Sequence, residues 1–265
     1  MPTRRRDSKK KDRSKKFWEM KAHKYPTAFD NGQIERTLKV ISMVRAKRVE
    51  IKGKKILDIG CGTGIYTLPL AQEAESVTAL DFSETMVTRL RDEILRYNIS
   101  NVDIIKESWQ EADITAREFK KSFDIAWCSM SMAVRDREDI RKMEDCSKKW
   151  CVYVGWGSKR KNELMEEAFR IHGLAYGPPP GVSVVHDILK SAGRAPGIEY
   201  FDESWDWEGT VDEAMENVAG FIEMQGSTAD RARLMELLNS YERDGLIRYT
   251  TYVEEGVIVW RVDLG

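Results

Sequence analysis

Ile56-Leu57-Asp58-Ile59-Gly60-Cys61-Gly62-Thr63-Gly64 is the stretch on which the reading of this chain turns. An apolar run carrying one carboxylate ends at three alternating glycines, and a helix is expected to start near Ile65. Alternating glycines let the backbone turn sharply and let a ligand sit against bare main chain. A helix N-terminus behind such a turn offers unpaired N–H groups to a negative group. The spacing is G-x-G-x-G, not the G-x-G-x-x-G of dinucleotide sites, which counts against a nucleotide-dependent oxidoreductase. Asp81 follows 21 residues after Gly60, at the end of the next apolar run. A carboxylate there can accept hydrogen bonds from both hydroxyls of a ribose.

Outward from this loop the pattern alternates. Ile34, Leu38, Ile41 and Val44 recur at helical spacing, so 33–49 reads as an amphipathic helix. Residues 55–59 and 76–80 read as short strands, and Met86, Leu90, Ile94 and Tyr97 mark a helix with Ser83 as N-cap. Residues 102–106, 123–128 and 150–154 are further apolar runs, continuous in the way of strands buried on both faces. Alternation of strands with helices predicts an α/β fold built on a doubly wound, mostly parallel sheet. Beyond 160 come a helix over 162–172, a rigid loop at Gly177-Pro178-Pro179-Pro180-Gly181, a helix over 184–190 and a strand over 198–207. Two more helices are marked by Val211, Met215, Val218 and Ile222, and by Leu234, Leu237, Leu238 and Tyr241. Residues 247–253 and 257–262 flank Glu254-Glu255-Gly256, which reads either as a hairpin turn or as a tight bend in one long strand.

The 265 residues are 42% hydrophobic and 33% charged, so a sizeable core is available and global disorder is excluded. No uncharged apolar run approaches the ~20 residues that span a bilayer, and the start lacks an apolar leader, so a cytoplasmic protein with no membrane partner is expected. Cys61, Cys128, Cys146 and Cys151 form no C-x-x-C pair, and His23, His172 and His186 are scattered, so neither a disulfide scaffold nor a metal site is expected. Charge is segregated. Residues 1–24 hold 11 Lys/Arg against 3 Asp/Glu, and residues 199–265 hold 5 against 16. Residues 1–16 are expected to be a disordered basic arm, either solvated, folded against the acidic third, or tethering a polyanion such as nucleic acid. The arm lacks interleaved aromatics that would stack on bases.

The segment D-I-G-C-G-T-G (58–64), with Asp81 downstream, resembles the cofactor loop of the class I S-adenosylmethionine-dependent methyltransferases. The resemblance covers about residues 50–155. It implies a seven-stranded sheet of order 3-2-1-4-5-7-6 with helical insertions among the C-terminal strands, and S-adenosyl-L-methionine as cofactor. It implies that Gly60, Cys61, Gly62 and Gly64 approach the methionine and ribose portions, that Asp58 holds the amino group, and that Asp81 binds the ribose. Phe82 and Met86 would pack on the adenine, with Ser108 and Trp109 beside it, and Cys128 would lie on the edge facing the sulfonium. Cys128 as a methyl-accepting nucleophile is weighed against an inert buried thiol, and Met130 and Met132 are read as core.

Methyl transfer from an activated sulfonium asks the protein mainly to align the reactants and exclude water, which explains the lack of a triad or metal cluster. Residues 17–25 resemble the W-x-x-x-A-x-x-Y segment that closes over the cofactor in small-molecule methyltransferases, with Trp18 and Tyr25 at its ends. Tyr25 and His186 are the candidate catalytic residues, and the general base is left open. Trp156, Tyr176 and His186 are candidates to line an acceptor pocket. Residues 17–265 are read as one methyltransferase domain, with 160–245 as its substrate cap, and a small-molecule acceptor is expected. The rivals are a methyltransferase acting on RNA or protein with the arm as tether, and a non-catalytic module that binds S-adenosylmethionine. The sequence sets no oligomeric state.

Overall fold

The computed structural model describes residues 17–263; the arm expected over 1–16 lies outside them. Residues 17–22 are helical (α1), followed by α2 (Gln33–Ala46), β1 (Lys55–Ile59), α3 (Thr67–Ala71), β2 (Ser76–Asp81), α4 (Glu84–Arg96), β3 (Val102–Lys106) and β4 (Phe123–Ser129). Then come α5 (Arg137–Cys146), β5 (Ser147–Lys161), α6 (Glu163–Ile171), α7 (Val182–Ser191), β6 (Gly197–Gly209), α8 (Val211–Met224), α9 (Arg231–Tyr241) and β7 (Ile247–Arg261). The strands form one seven-stranded sheet of order β3-β2-β1-β4-β5-β7-β6. β1 pairs in parallel with both β2 and β4, β2 with β3, and β4 with β5. Contacts along β6 and β7 run in opposite directions, Arg248 meeting Glu208 and Thr250 meeting Asp206, so the sheet is mixed at that end.

The strands form where the sequence places apolar runs without helical periodicity. Leu57, Ile59, Ile125 and Ala126 are fully buried, each larger aliphatic contributing ~1.5–3 kcal/mol by leaving water. Ser83 caps α4 by accepting from the Met86 N–H at 3.2 Å, as its position predicts. β3, at the edge of the sheet, is only half-buried, unlike the central strands.

Three elements differ from the sequence expectation. β5 runs fifteen residues, far past the apolar run at 150–154. Its polar second half is a strand because it has a neighbour: the Glu254 carboxylate of β7 accepts from the Ser158 N–H at 2.9 Å. β7 is one continuous strand, so the hairpin alternative at Glu254-Glu255-Gly256 is ruled out. Gly256 serves close packing there, since a Cβ on it would sit 2.9 Å from a Val182 methyl. The third, α5, is absent from the sequence reading. Asp136 caps it by accepting from the Glu138 and Asp139 N–H groups, and Ile140, Met143 and Cys146 line its buried face.

The chain divides into two compact units, the first containing 21–157, 180–200 and 255–263, the second 17–20, 158–179 and 201–254. The first unit has a core of Leu57, Ile59, Trp109, Cys128, Met143 and Trp260 with their neighbours. The second has its own, around Leu164, Phe169, Met215, Val218, Ile222 and Leu238. No helix among the described residues is long and apolar enough to cross a membrane.

Candidate functional site

In the first unit the chain leaves β1 and turns at once. Gly60, Gly62 and Gly64 all take left-handed φ angles, +75°, +56° and +86°. L side chains rarely adopt that region, so the glycines are dictated by the turn itself. Two also have no room for a side chain: a Cβ on Gly60 would lie 2.0 Å from Ser131 Oγ, and one on Gly64 would lie 2.4 Å from Leu90 Cδ1. The turn is pinned to β2, because the Gly60 and Cys61 N–H groups both donate to the Leu80 carbonyl, at 2.7 and 3.1 Å. The expected helix near Ile65 forms only at Thr67, and residues 62–66 are turns.

Two carboxylates face this loop from adjacent parallel strands. Asp81, at the end of β2, accepts from the Gly62 N–H at 3.0 Å and from the Ser83 N–H at 2.9 Å, so one N–H fixes each oxygen. Asp58, on β1, accepts from Thr67 Oγ1 at 2.6 Å. Burial pushes the Asp58 carboxyl up to about 7; the Thr67 bond pulls it down, and the charge of Asp81 raises it further. A carboxyl that ionises so reluctantly in a buried site is one that a cation would relieve.

The other sequence candidates are distributed unevenly. Met86 is buried with its sulfur 3.9 Å from where a Gly62 Cβ would be, and Phe82 is half-buried at the start of α4. Ser108 and Trp109 follow β3, but the Trp109 indole is 1% exposed and held from behind: Nε1 donates to the Asp139 carbonyl, and Lys142 lies over the ring at 4.6 Å. Cys61 and Cys128 are buried, and burial raises both thiols well above the ordinary range. Cys128 belongs to the hydrophobic core, which favours the inert thiol over the nucleophile. Met132 is 39% exposed and Met130 half-buried, so the reading of both as core is corrected. Met130 takes a left-handed φ of 48°, re-aiming the chain as it leaves β4 toward Ser131.

Tyr25 is brought to the site. Burial pushes its hydroxyl up to about 12, helped by the charges of Glu255 and Asp81. At neutral pH it is therefore a hydrogen-bond donor and not a base. The segment carrying it is fastened to the loop. Arg89 of α4 donates to the Ala22 and Tyr25 carbonyls, the latter at 2.6 Å, and Thr63 Oγ1 donates to the Pro26 carbonyl at 2.6 Å. Trp18 falls in the second unit, as does Phe17, which packs on Phe221 at 5.0 Å. His186 lies on α7 with the Asp187 carboxylate 3.8 Å away beside it.

Thr63, Thr67, Arg89, Ser131 and Glu255 are thus site residues that the sequence reading passed over. Thr63 lies inside the glycine motif and Thr67 three residues after Gly64, so both were within reach of the pattern. Arg89, Ser131 and Glu255 come from distant elements and carry no local signal.

Comparison with known proteins gives concordant results. Residues 56–150 match the family model described as a methyltransferase domain. A ribosomal protein L11 methyltransferase of Phocaeicola vulgatus is 31% identical over 99 residues, covering 37% of this chain and 33% of that protein. A ubiquinone biosynthesis O-methyltransferase of Coxiella burnetii is 30% identical over 116 residues, covering 42% and 47%. The match thus spans a third to just under half of these curated relatives. Among solved structures, coclaurine N-methyltransferase bound to N-methylheliamine and SAH shares the fold, with a TM-score of 0.50 and 14% identity over 89% of this chain and 74% of that one.

Proposed function

We propose, from the match of residues 56–150 to a methyltransferase domain, that the chain moves a methyl group from S-adenosylmethionine to a small-molecule acceptor by in-line substitution. The observation that carries this is the pairing of a loop of three left-handed glycines with two carboxylates, Asp58 and Asp81, on neighbouring strands. The loop brings bare main chain to a ligand, and the carboxylates suit a ligand that is cationic at one end and a ribose at the other.

The cofactor, when bound, supplies a methyl group already activated on a sulfonium. The chain's residues do the rest. Gly60, Gly62 and Gly64 let the ligand approach the backbone. Asp58 receives its amino group, and binding a cation there draws the carboxyl into its ionised form. Asp81, held by the Gly62 and Ser83 N–H groups, accepts from the ribose hydroxyls. Phe82 and Met86 flank the adenine. The Trp109 main-chain N–H serves as an adenine donor, while the indole holds the wall from behind. Cys128 contributes through its main chain. Tyr25 donates a hydrogen bond, and rate enhancement rests on alignment and exclusion of water. Residues 160–245 act as the substrate cap.

Calorimetry with S-adenosylmethionine and S-adenosylhomocysteine tests this directly. Micromolar binding of either is expected, with Asp81→Ala weakening it at least about tenfold, or ~1.4 kcal/mol. No heat of binding from either compound would sink the reading. A second reading, transfer to RNA or protein, is favoured by the 11 Lys/Arg of residues 1–24 and by the likeness to a ribosomal protein L11 methyltransferase.

A further inference from the structure

Within the first unit, the chain leaving β3 starts beside Asp81 and is then held by α5. β2 and β3 keep their parallel register to the end, Asp81 opposite Lys106, and the Glu107 N–H donates to the Asp81 carbonyl at 2.9 Å. The chain then turns, the Ser108 carbonyl accepting from the Glu111 and Ala112 N–H groups, both at 3.0 Å. Trp109 is buried in this turn and gripped at two points. Its indole Nε1 donates to the Asp139 carbonyl at 3.4 Å, and its own carbonyl accepts from Lys142 Nζ. The same ammonium lies over the indole, 4.6 Å from the ring centroid. Asp139 is itself held, its carboxylate accepting from the Arg135 N–H at 3.1 Å.

Together these contacts aim the Trp109 main-chain N–H. A peptide unit is planar and trans, so its N–H points opposite to the carbonyl of the same unit. The Ser108 carbonyl is turned inward to Glu111 and Ala112, so the Trp109 N–H is aimed out of the turn. Side chain and carbonyl are two of the three groups on the Trp109 Cα, and near-fixed bond angles then place the third, the main-chain nitrogen. Lys142 supplies two of the contacts with one half-buried ammonium. A cation suits both, because a carbonyl oxygen and the face of an indole each present negative potential.

We infer that Lys142 of α5 is a positioning residue for the cofactor, acting through Trp109 to set the direction of the main-chain N–H that meets the adenine. This rests on the reading of that N–H as an adenine donor. Lys142 then governs recognition of the base, while the contacts of Asp81 with the ribose and of Asp58 with the amino group do not depend on it. Hydrogen bonds weaken steeply as the donor tilts, so a small swing of Trp109 costs base recognition and leaves the glycine turn as it is.

The probes are S-adenosylhomocysteine and three analogues in which N1, N3 or N7 of the adenine is replaced by C–H, each titrated calorimetrically into the full chain. In the wild type one analogue is expected to bind about tenfold more weakly than the parent, and that ratio reads the N–H. Lys142→Met should weaken the parent about tenfold and the affected analogue less than about twofold, bringing the ratio close to one. Lys142→Arg, which still offers a donor to the carbonyl and a cation to the ring, should restore most of the ratio. A role in stability alone would weaken parent and analogues alike. The Trp109 ring is followed without any ligand by fluorine NMR of protein made with fluorotryptophan, its resonance being the one that Trp109→Phe removes. That resonance should shift in Lys142→Met and return toward its wild-type position in Lys142→Arg. An unmoved resonance, or a ratio that Lys142→Met leaves unchanged, overturns the inference and leaves the cofactor reading standing. Equal binding of parent and all three analogues by the wild type removes the adenine donor and the inference with it. Failure of the wild type to bind S-adenosylhomocysteine at all overturns the cofactor reading itself.

Discussion

Asp58 shows how a single buried carboxyl ties stability to function. Its folded-state pKa, about 7, lies above the ordinary 3.8, chiefly because burial penalises the charge. The folded protein therefore holds a proton that the unfolded chain has released between roughly pH 4 and 7. Stability from this group is present below that window and is lost as pH rises through it. Asp58→Asn removes the loss. The variant is expected to melt about 3 °C higher than wild type at pH 8, with the gap shrinking toward pH 5, as differential scanning calorimetry would read it. The same variant should bind S-adenosylhomocysteine at least tenfold more weakly. In the wild type, affinity should fall about tenfold from pH 8 to pH 6, as the carboxyl takes up its proton. A flat pH profile of affinity would remove Asp58 from the amino-group site. Gly60 makes the complementary point: its left-handed φ, and the Ser131 Oγ lying 2.0 Å from where a Cβ would stand, are two separate reasons for the same residue.

At the scale of elements, the strap of residues 22–26 is held by two side chains from different parts of the chain. Arg89, in the middle of α4, binds the Ala22 and Tyr25 carbonyls, and Thr63, in the glycine loop, binds the Pro26 carbonyl. Both donate to main-chain oxygens, so the strap's course is fixed whatever its side chains. With the strap in place, Tyr25 sits where the charge of Asp81 acts on it. Removing both donors, in Arg89→Gln/Thr63→Val, is expected to speed release of S-adenosylhomocysteine about tenfold in stopped-flow fluorescence while changing the melting temperature little. An unchanged release rate would mean that the strap does not gate the site. The missed helix belongs to this scale too. α5 (REDIRKMEDC) is so rich in charge that its three apolar positions are hard to see, and Asp139 occupies its buried face. What makes Asp139 tolerable there is tertiary: its carboxylate accepts from the Arg135 N–H at 3.1 Å, and its carbonyl receives the Trp109 indole N–H.

At the scale of the whole molecule, the two readings of the acceptor differ in what the basic N-terminal segment does. If the acceptor is small, deleting residues 1–16 should leave cofactor affinity and turnover within about twofold of wild type. If the acceptor is RNA, that deletion should weaken RNA binding and flatten its salt dependence, since each lost phosphate contact removes close to one unit from the slope of log affinity against log salt. A filter-binding titration between about 50 and 200 mM salt, on full-length and truncated chains, decides between them. Residues 199–265 carry eleven more acids than bases, and part of this acidity is paired within the described chain. Lys159 pairs with Glu254, Arg248 with Glu208, Arg231 with Glu216 and Lys47 with Glu199. Exposed pairs of this kind contribute little each, ~0–1 kcal/mol.

The sequence by itself determined the first half of this protein: β1 through β4, the glycine turn, the Ser83 cap and Asp81 could be read in place because each depends on local causes. An apolar run makes a buried strand, alternating glycines make a turn that no other residue can follow, and a serine before an amphipathic run makes a cap. Only the tertiary structure decided the rest. β5 is fifteen residues long because β7 lies beside it, residue 256 is a glycine because Val182 packs where a side chain would stand, Ser131 crowds Gly60 of the loop, and Arg89 and Glu255 act on the strap at Tyr25 from elements far along the chain. Pairing partners and long-range contacts leave no periodic trace in one chain, so their residues look ordinary until the fold brings them together.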